Sequence, residues 1–353
     1  MPVCSQTTPV SLRSADPPFR PDILHDMTSV TPVFTEYERR VVHEIARHQV
    51  QPNAVQRVLE TIGKPVGRLF QYARDSQNPA LKGISERVQG WIQEGLIKTV
   101  QAASRFTGTE EITRRVEAMD IHVADIESMR YLPLSKLDKI ADSFKMSNRL
   151  LLGLEGALLG SATTLAVGVP GAQLVIPSLI LADVTASVTL LSRQTCILAG
   201  VYGFSPKTPE NLPHVLAAMA PQTATSDEGY LAIKTAIVGS IRETSRFVAG
   251  TAGVMIDRQL LERESPQMIR LIATVAERLG VTVTQKELGI LVPVAGAVLN
   301  GSINLAFQQV SHQTAKDYFR RLLLEDRYGD ELIAVAISSE IAEIRAAKAN
   351  ARD

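Results

Sequence analysis

The chain has 353 residues, 45% of them hydrophobic but only 5% aromatic, with 37 basic and 37 acidic side chains and a net charge of zero. That length holds one large domain or two small ones, and a Leu, Ile, Val and Ala core suits packed helices better than sheets. A neutral chain without basic runs interleaved with aromatics excludes nucleic acid as a partner, and its weak charge protection is compatible with homo-oligomers.

Residues 1–33 carry Pro2, Pro9, Pro17, Pro18, Pro21 and Pro32 among Ser, Thr and Asp, a composition that predicts a disordered tail. The tail has no apolar secretory core. Of the two cysteines, Cys4 lies in this tail and Cys196 in an apolar segment, which fits a reducing compartment rather than a disulfide framework.

Thr35 with Glu36 and Glu38 predicts a capped helix through about Gln49. Asn53 opens another, kinked or split near Gly63–Pro65. From about Ala80 to Ala103, Leu81, Ile84, Val88, Trp91, Ile92 and Leu96 recur at helical spacing, with Trp91 as a core anchor. Thr109, Glu110 and Glu111 open a short helix to about Met119. Leu134–Met146 follows, with Leu137, Ile140, Ala141 and Phe144 on one face.

From Gly156 to Ala182 no side chain is charged. Gly168, Pro170 and Gly171 interrupt this run and predict a helical hairpin around which the bundle is built. Ser205–Pro209 reads as a turn and Asn211–Ala220 as a helix with Pro213 in its first turn. Ser226, Asp227 and Glu228 open a long helix to about Glu264, softened at Gly250–Gly253. Ser265–Pro266 starts the next helix, which Gly280 is expected to end, leaving Val281–Thr284 as a connector. A second uncharged run, Gly289–Ser311, continues as helix through Leu322. Asp330 to about Ala349 is a last, Ala- and Glu-rich helix with a frayed end. The expected fold is an all-α, multi-helix bundle without a sheet. Its domains are the tail 1–33, a helical domain 34–329 and a C-terminal helix 330–353.

The usual catalytic motifs are missing from the sequence. His43, Glu44 and His48 resemble a zinc-protease motif, but the histidines are five apart rather than four and cannot both face one metal. No phosphate-binding loop, dinucleotide fingerprint or nucleophile elbow occurs, so neither a metal nor a cofactor is expected. Two features remain. Glu155 and Asp183 border the uncharged run in apolar surroundings, about 13 residues either side of the expected bend, where a pair of carboxylates with raised pKa values would form a polar site. Alternatively, each bonds a nearby cation such as Lys139, Arg149 or Arg193. Gly153, Gly156 and Gly160, and later Gly296, Ala297 and Gly301, put small residues on one helix face, which serves tight packing in a bundle or in a membrane. Glu155 and Asp183 are the weak catalytic candidates. The candidate binding set is Glu155, Gly156, Gly160, Asp183, Arg193, Asn300 and Asn304.

Each hairpin arm has about 16–19 mostly apolar residues, near the lower limit for a membrane span. Each also holds an acid, and an Asp at the bilayer centre costs about 2.5–3.5 kcal/mol. Peripheral contact is therefore expected over a constitutive span.

Four stretches in order are similar to the EcsC family of bacterial proteins, from about Thr35 to Gly329. LPLSKLDKIADSF, with Asp138, resembles the segment before the family's first apolar helix. LEGALLG resembles its next element through Glu155, Gly156 and Gly160. ILADVTASVTLLSRQTCILAGVYGF resembles its apolar helix, with Arg193–Gln194 and a closing Tyr202–Gly203. Pro293, Gly296, Asn304, Phe307, Ala315 and Phe319 match the C-terminal signature. One departure falls at Asp183: Val184–Thr185 follow it where the family often has Ile-Pro, and the proline is earlier, at Pro177.

The resemblance implies an all-α bacterial protein that is cytoplasmic or peripheral on the inner membrane. It carries over no active site. The expected function is a helical, non-enzymatic protein that binds membrane lipid or a membrane protein, accessory to transport or secretion. The alternatives are a soluble interaction or oligomerisation module, and a hydrolase-like enzyme using the two carboxylates.

Overall fold

The computed structural model describes residues 34–51, 79–103, 108–144, 172–220, 236–241, 243, 258–290 and 296–351, and no strand occurs among them. Helix α1 (Glu36–Val50) starts where the sequence places it. The Thr35 side chain accepts from the Glu38 N–H and the Glu38 carboxylate reaches back to the Thr35 N–H, a reciprocal capping box. Helices α2 (Pro79–Ala103) and α3 (Gly108–Glu117) follow, then a 3-10 turn at Glu127–Tyr131 and α4 over 134–144. Helix α5 (Ala172–Val201) begins one residue after Gly171 and runs through Pro177. A 3-10 turn at Pro209–Asn211 leads into α6 (Leu212–Met219), with Pro213 in its first turn. A helical segment covers 236–241. Helices α7 (Arg258–Glu264), α8 (Pro266–Ile290), α9 (Gly296–Tyr328) and α10 (Asp330–Asn350) complete the chain.

Two expectations need correction. Gly280 does not end a helix and Val281–Thr284 is no connector, because α8 runs unbroken to Ile290. A glycine inside a helix costs only about 1 kcal/mol relative to alanine. Ala276, Val283 and Ile290 keep a seven-residue spacing across it, and α8 packs along α2, α6 and α9. A single glycine is a weak stop signal, and the helix continues through it. In addition, the second uncharged run is not one helix: its first residues, Gly289 and Ile290, close α8, and α9 opens at Gly296. Trp91 is only half-buried against the core, and its neighbour Ile92 is the fully buried residue. The expected breaks at Gly63–Pro65, Gly168–Gly171 and Gly250–Gly253 lie outside the described residues.

Core residues come from every helix between α1 and α10. Cross-links fix the register. Asp138 meets Arg320 and Asp142 meets Lys316, so α4 runs antiparallel to α9. Glu38–Arg327, Glu44–Arg320 and His48–Asp317 make α1 antiparallel to α9 as well. His43–Glu340 and Lys348 to the Val50 carbonyl lay α10 parallel to α1. Helix α2 crosses α5 at Gly95, where an added Cβ would stand 2.7 Å from Val188 Cγ1. The missing side chain lets the two helices touch.

Candidate functional site: a buried aspartate–arginine node

Asp138 lies on the apolar stripe of α4, between Leu134 and Ala141, and is 2% exposed. A lone carboxylate there is costly to bury unless it is paired and hydrogen-bonded. Arg320 of α9 meets it bidentately, Nε donating to Oδ1 at 2.9 Å and Nη2 to Oδ2 at 2.5 Å. The Tyr202 hydroxyl donates to Oδ1 and the Tyr37 hydroxyl to Oδ2, each at 2.5 Å. Four donors therefore fill the roughly four acceptor positions of one carboxylate. The remaining Arg320 nitrogen, Nη1, reaches Glu44 at 3.0 Å and Asp317 at 3.3 Å.

Around this centre the polar contacts continue toward solvent. Asp317 also accepts from Gln313 and bonds His48 Nδ1 at 2.7 Å. Lys316, buried along its stem, reaches the exposed Asp142 at 2.8 Å. One or two turns further along α9, Arg327 holds Glu38 at 3.1 Å and donates to the carbonyls of Arg130 and Leu132, while the Tyr328 hydroxyl donates to Glu38. Arg130 in turn lies over the Phe204 ring and donates to the Gly203 carbonyl. Gly203 has φ +84°, and a Cβ there would fall 2.8 Å from the Arg130 backbone nitrogen, so only glycine fits this turn.

The protonation states follow from these contacts. Burial pushes the Asp138 carboxyl up, but the Arg320 guanidinium, Lys316 and the Tyr202 hydroxyl outweigh it and leave it below the usual carboxylate range. Burial also raises Tyr202, and both burial and the neighbouring Asp138 raise Tyr37. For Arg320, burial works against the charge, but the Asp138 contact prevails and the shift is upward. Carboxylate, guanidinium and phenols are thus all held in their neutral-pH forms, and no group among them is poised to exchange a proton near pH 7. The arrangement locks α1, α4, the end of α5 and α9 together.

The residues expected to form the site fall elsewhere. Glu155, Gly156 and Gly160 lie outside the described residues. Asp183 is on α5, and Asn300 and Asn304 are on α9, but their side chains also lie outside the described part. Arg193 is exposed on α5 and pairs with Glu111 of α3 at 3.0 Å. His43 and His48 face different partners, Glu340 and Asp317, and no group of metal-ligating side chains occurs among the described residues. The node itself contains Asp138, Tyr202 and the residues beside Phe319, all within stretches that carried the resemblance. Arg320, Tyr37 and Asp317 carried no expectation, and Glu44 entered only through the zinc-protease-like spacing. A signal for Arg320 was its position four residues after Lys316 on the buried stripe of α9.

The EcsC protein family model matches residues 39–323. The chain belongs to the EcsC protein family. Neither a curated protein nor a solved structure matches it.

Proposed function

We propose that this protein is a non-enzymatic helical protein of the cytoplasm that docks peripherally on membrane lipid through the uncharged segment ending at Ala182, in a role accessory to transport or secretion. The observation that carries this reading is the two-part character of α5. Its second half, Val184–Val201, has the length and hydropathy of a membrane span, yet 72% of it is buried in the bundle, so it serves as core. Just before it, Leu181 and Ala182 are exposed, and the 26 residues preceding Ala182 back to Gly156 carry no charge. An apolar segment continuous with a helix anchored in a folded bundle suits reversible insertion into the headgroup and acyl boundary. The acids Glu155 and Asp183 at its two ends disfavour a permanent span.

Flotation of the full chain with vesicles tests the reading. Wild-type protein is expected to rise with vesicles, and Leu181→Glu, a change at an exposed position, is expected to reduce the floated fraction severalfold while leaving the folded helix content unchanged. Recovery of the wild-type chain only in the soluble fraction, with neutral and with anionic lipid, would end the proposal.

A further inference from the structure

Helix α1 carries two exposed cations, Arg40 and Arg47, and neither has an acidic partner among the described residues. Two helical turns separate them, so they share one face, about 10.5 Å apart along the axis. The nearest acids are engaged elsewhere. Glu44 turns to the buried Arg320, and Glu340 of α10 meets His43. Arg40 is also held in place. Its guanidinium lies 5.3 Å from the centre of the Tyr37 ring, and the Tyr37 hydroxyl is bonded to Asp138. A guanidinium laid on a ring keeps its edge N–H groups open for a two-pronged contact with a carboxylate. Lys139, beside Asp138 and so level with Tyr37, adds a third exposed cation without an ion pair.

We propose that Arg40 and Arg47, with Lys139 beside them, form a docking strip for an extended acidic segment of a partner protein, its carboxylates three residues apart. In a polyproline-II chain every third side chain points the same way, at a repeat of about 9.3 Å, close to the spacing of the two arginines. An anionic lipid surface fits less well. The strip is narrow, with Glu44 and Asp142 beside it toward α9 and α4, and Glu340 beside it toward α10. A flat sheet of negative charge would meet those carboxylates together with the cations, whereas a single chain lies between them. The strip uses α1 and α4 alone, so it does not depend on the membrane reading of α5.

The test is fluorescence polarisation of a labelled peptide, Glu-Pro-Pro repeated three times, with the full-length protein. A peptide of the same composition with its glutamates adjacent is the control for spacing. The wild-type chain is expected to bind the repeat about threefold or more tighter than the control. Arg40→Gln and Arg47→Gln should each weaken binding of the repeat about threefold or more, while Arg114→Gln, an exposed change on α3, should not. Arg40→Lys should lose nearly as much as Arg40→Gln, because an ammonium keeps the charge but not the two-pronged contact. Arg47 touches no residue of the node, so Arg47→Gln carries the test even if the Arg40 variants fail to fold. No binding of the repeat, equal binding of the control, arginine variants no weaker than Arg114→Gln, or full retention in Arg40→Lys would each overturn the proposal. So would flotation on anionic vesicles that falls in Arg47→Gln while neither peptide binds, since that assigns the strip to lipid.

Discussion

A buried charge pair is strong only as a pair. Removing one partner of the Asp138–Arg320 bridge strands the other in a site of low polarity, a loss of about 3–5 kcal/mol, whereas replacing both by apolar groups is often close to neutral. Asp138→Asn and Arg320→Met are therefore each expected to lower the urea midpoint sharply. Asp138→Leu combined with Arg320→Met should recover much of the loss, although Tyr37 and Tyr202 would then need new acceptors. A double variant no more stable than its singles would mean that the two tyrosine bonds, not the ion pair, hold the node. His214 gives a second residue-scale prediction. Burial, then the nearby Arg130, lowers its pKa to about 4, and its Nδ1 bonds the Tyr318 hydroxyl at 2.8 Å. The imidazole is neutral in the fold, so its contribution is complete above the unfolded value of about 6.5 and drains away as pH falls toward 4. On the order of 2–3 kcal/mol should be lost across that window, reduced by whatever the partly exposed ring edge screens. Chemical denaturation at several pH values should show that slope flatten in His214→Gln. The Asp138 contribution, with its depressed pKa, fails only at lower pH, so the two groups separate along the pH axis.

At the scale of helices, close approach and propensity pull in opposite directions, and two glycines of α2 separate them. Gly90 has open space around the position of a Cβ, while at Gly95 that Cβ would overlap Val188 of α5. Gly90→Ala should stabilise by up to about 1 kcal/mol through helix propensity alone. Gly95→Ala gains the same propensity but overpacks against a stiff β-branched side chain, for a net loss of about 1–2 kcal/mol. Val188→Ala should cost less in that background than in the wild type. Equal effects of the two glycine changes on thermal stability would show that the α2–α5 crossing yields freely. The same contrast explains what was legible in the sequence. Thr35 with Glu38, Ser265 with Pro266, and the bounds of α10 are local signals, and the helices obey them. Gly280 was also a local signal, but a weak one that the helix runs through. The node was half legible. Asp138 stood out only through the stretch that resembles the family, yet its partner is 182 residues away, and no periodicity in one sequence pairs positions so distant.

For the whole molecule, the balance of charge decides how a membrane would be met. Basic and acidic residues are equal in number, so no net field draws the chain to an anionic surface. Arg193, further along α5, is paired with Glu111. Docking by the Gly156–Ala182 segment must then be driven by apolar burial, which salt does not screen. Polybasic attachment, by contrast, fades once the Debye length drops from about 10 Å at 0.1 M to about 3 Å at 1 M. The floated fraction should therefore change little across that range of salt and differ little between neutral and anionic vesicles. Leu181→Lys should weaken flotation on neutral lipid about as much as Leu181→Glu, because either charge opposes burial. Binding that appears only on anionic vesicles and washes off in salt would point to electrostatic attachment by another surface and remove the uncharged segment from the mechanism.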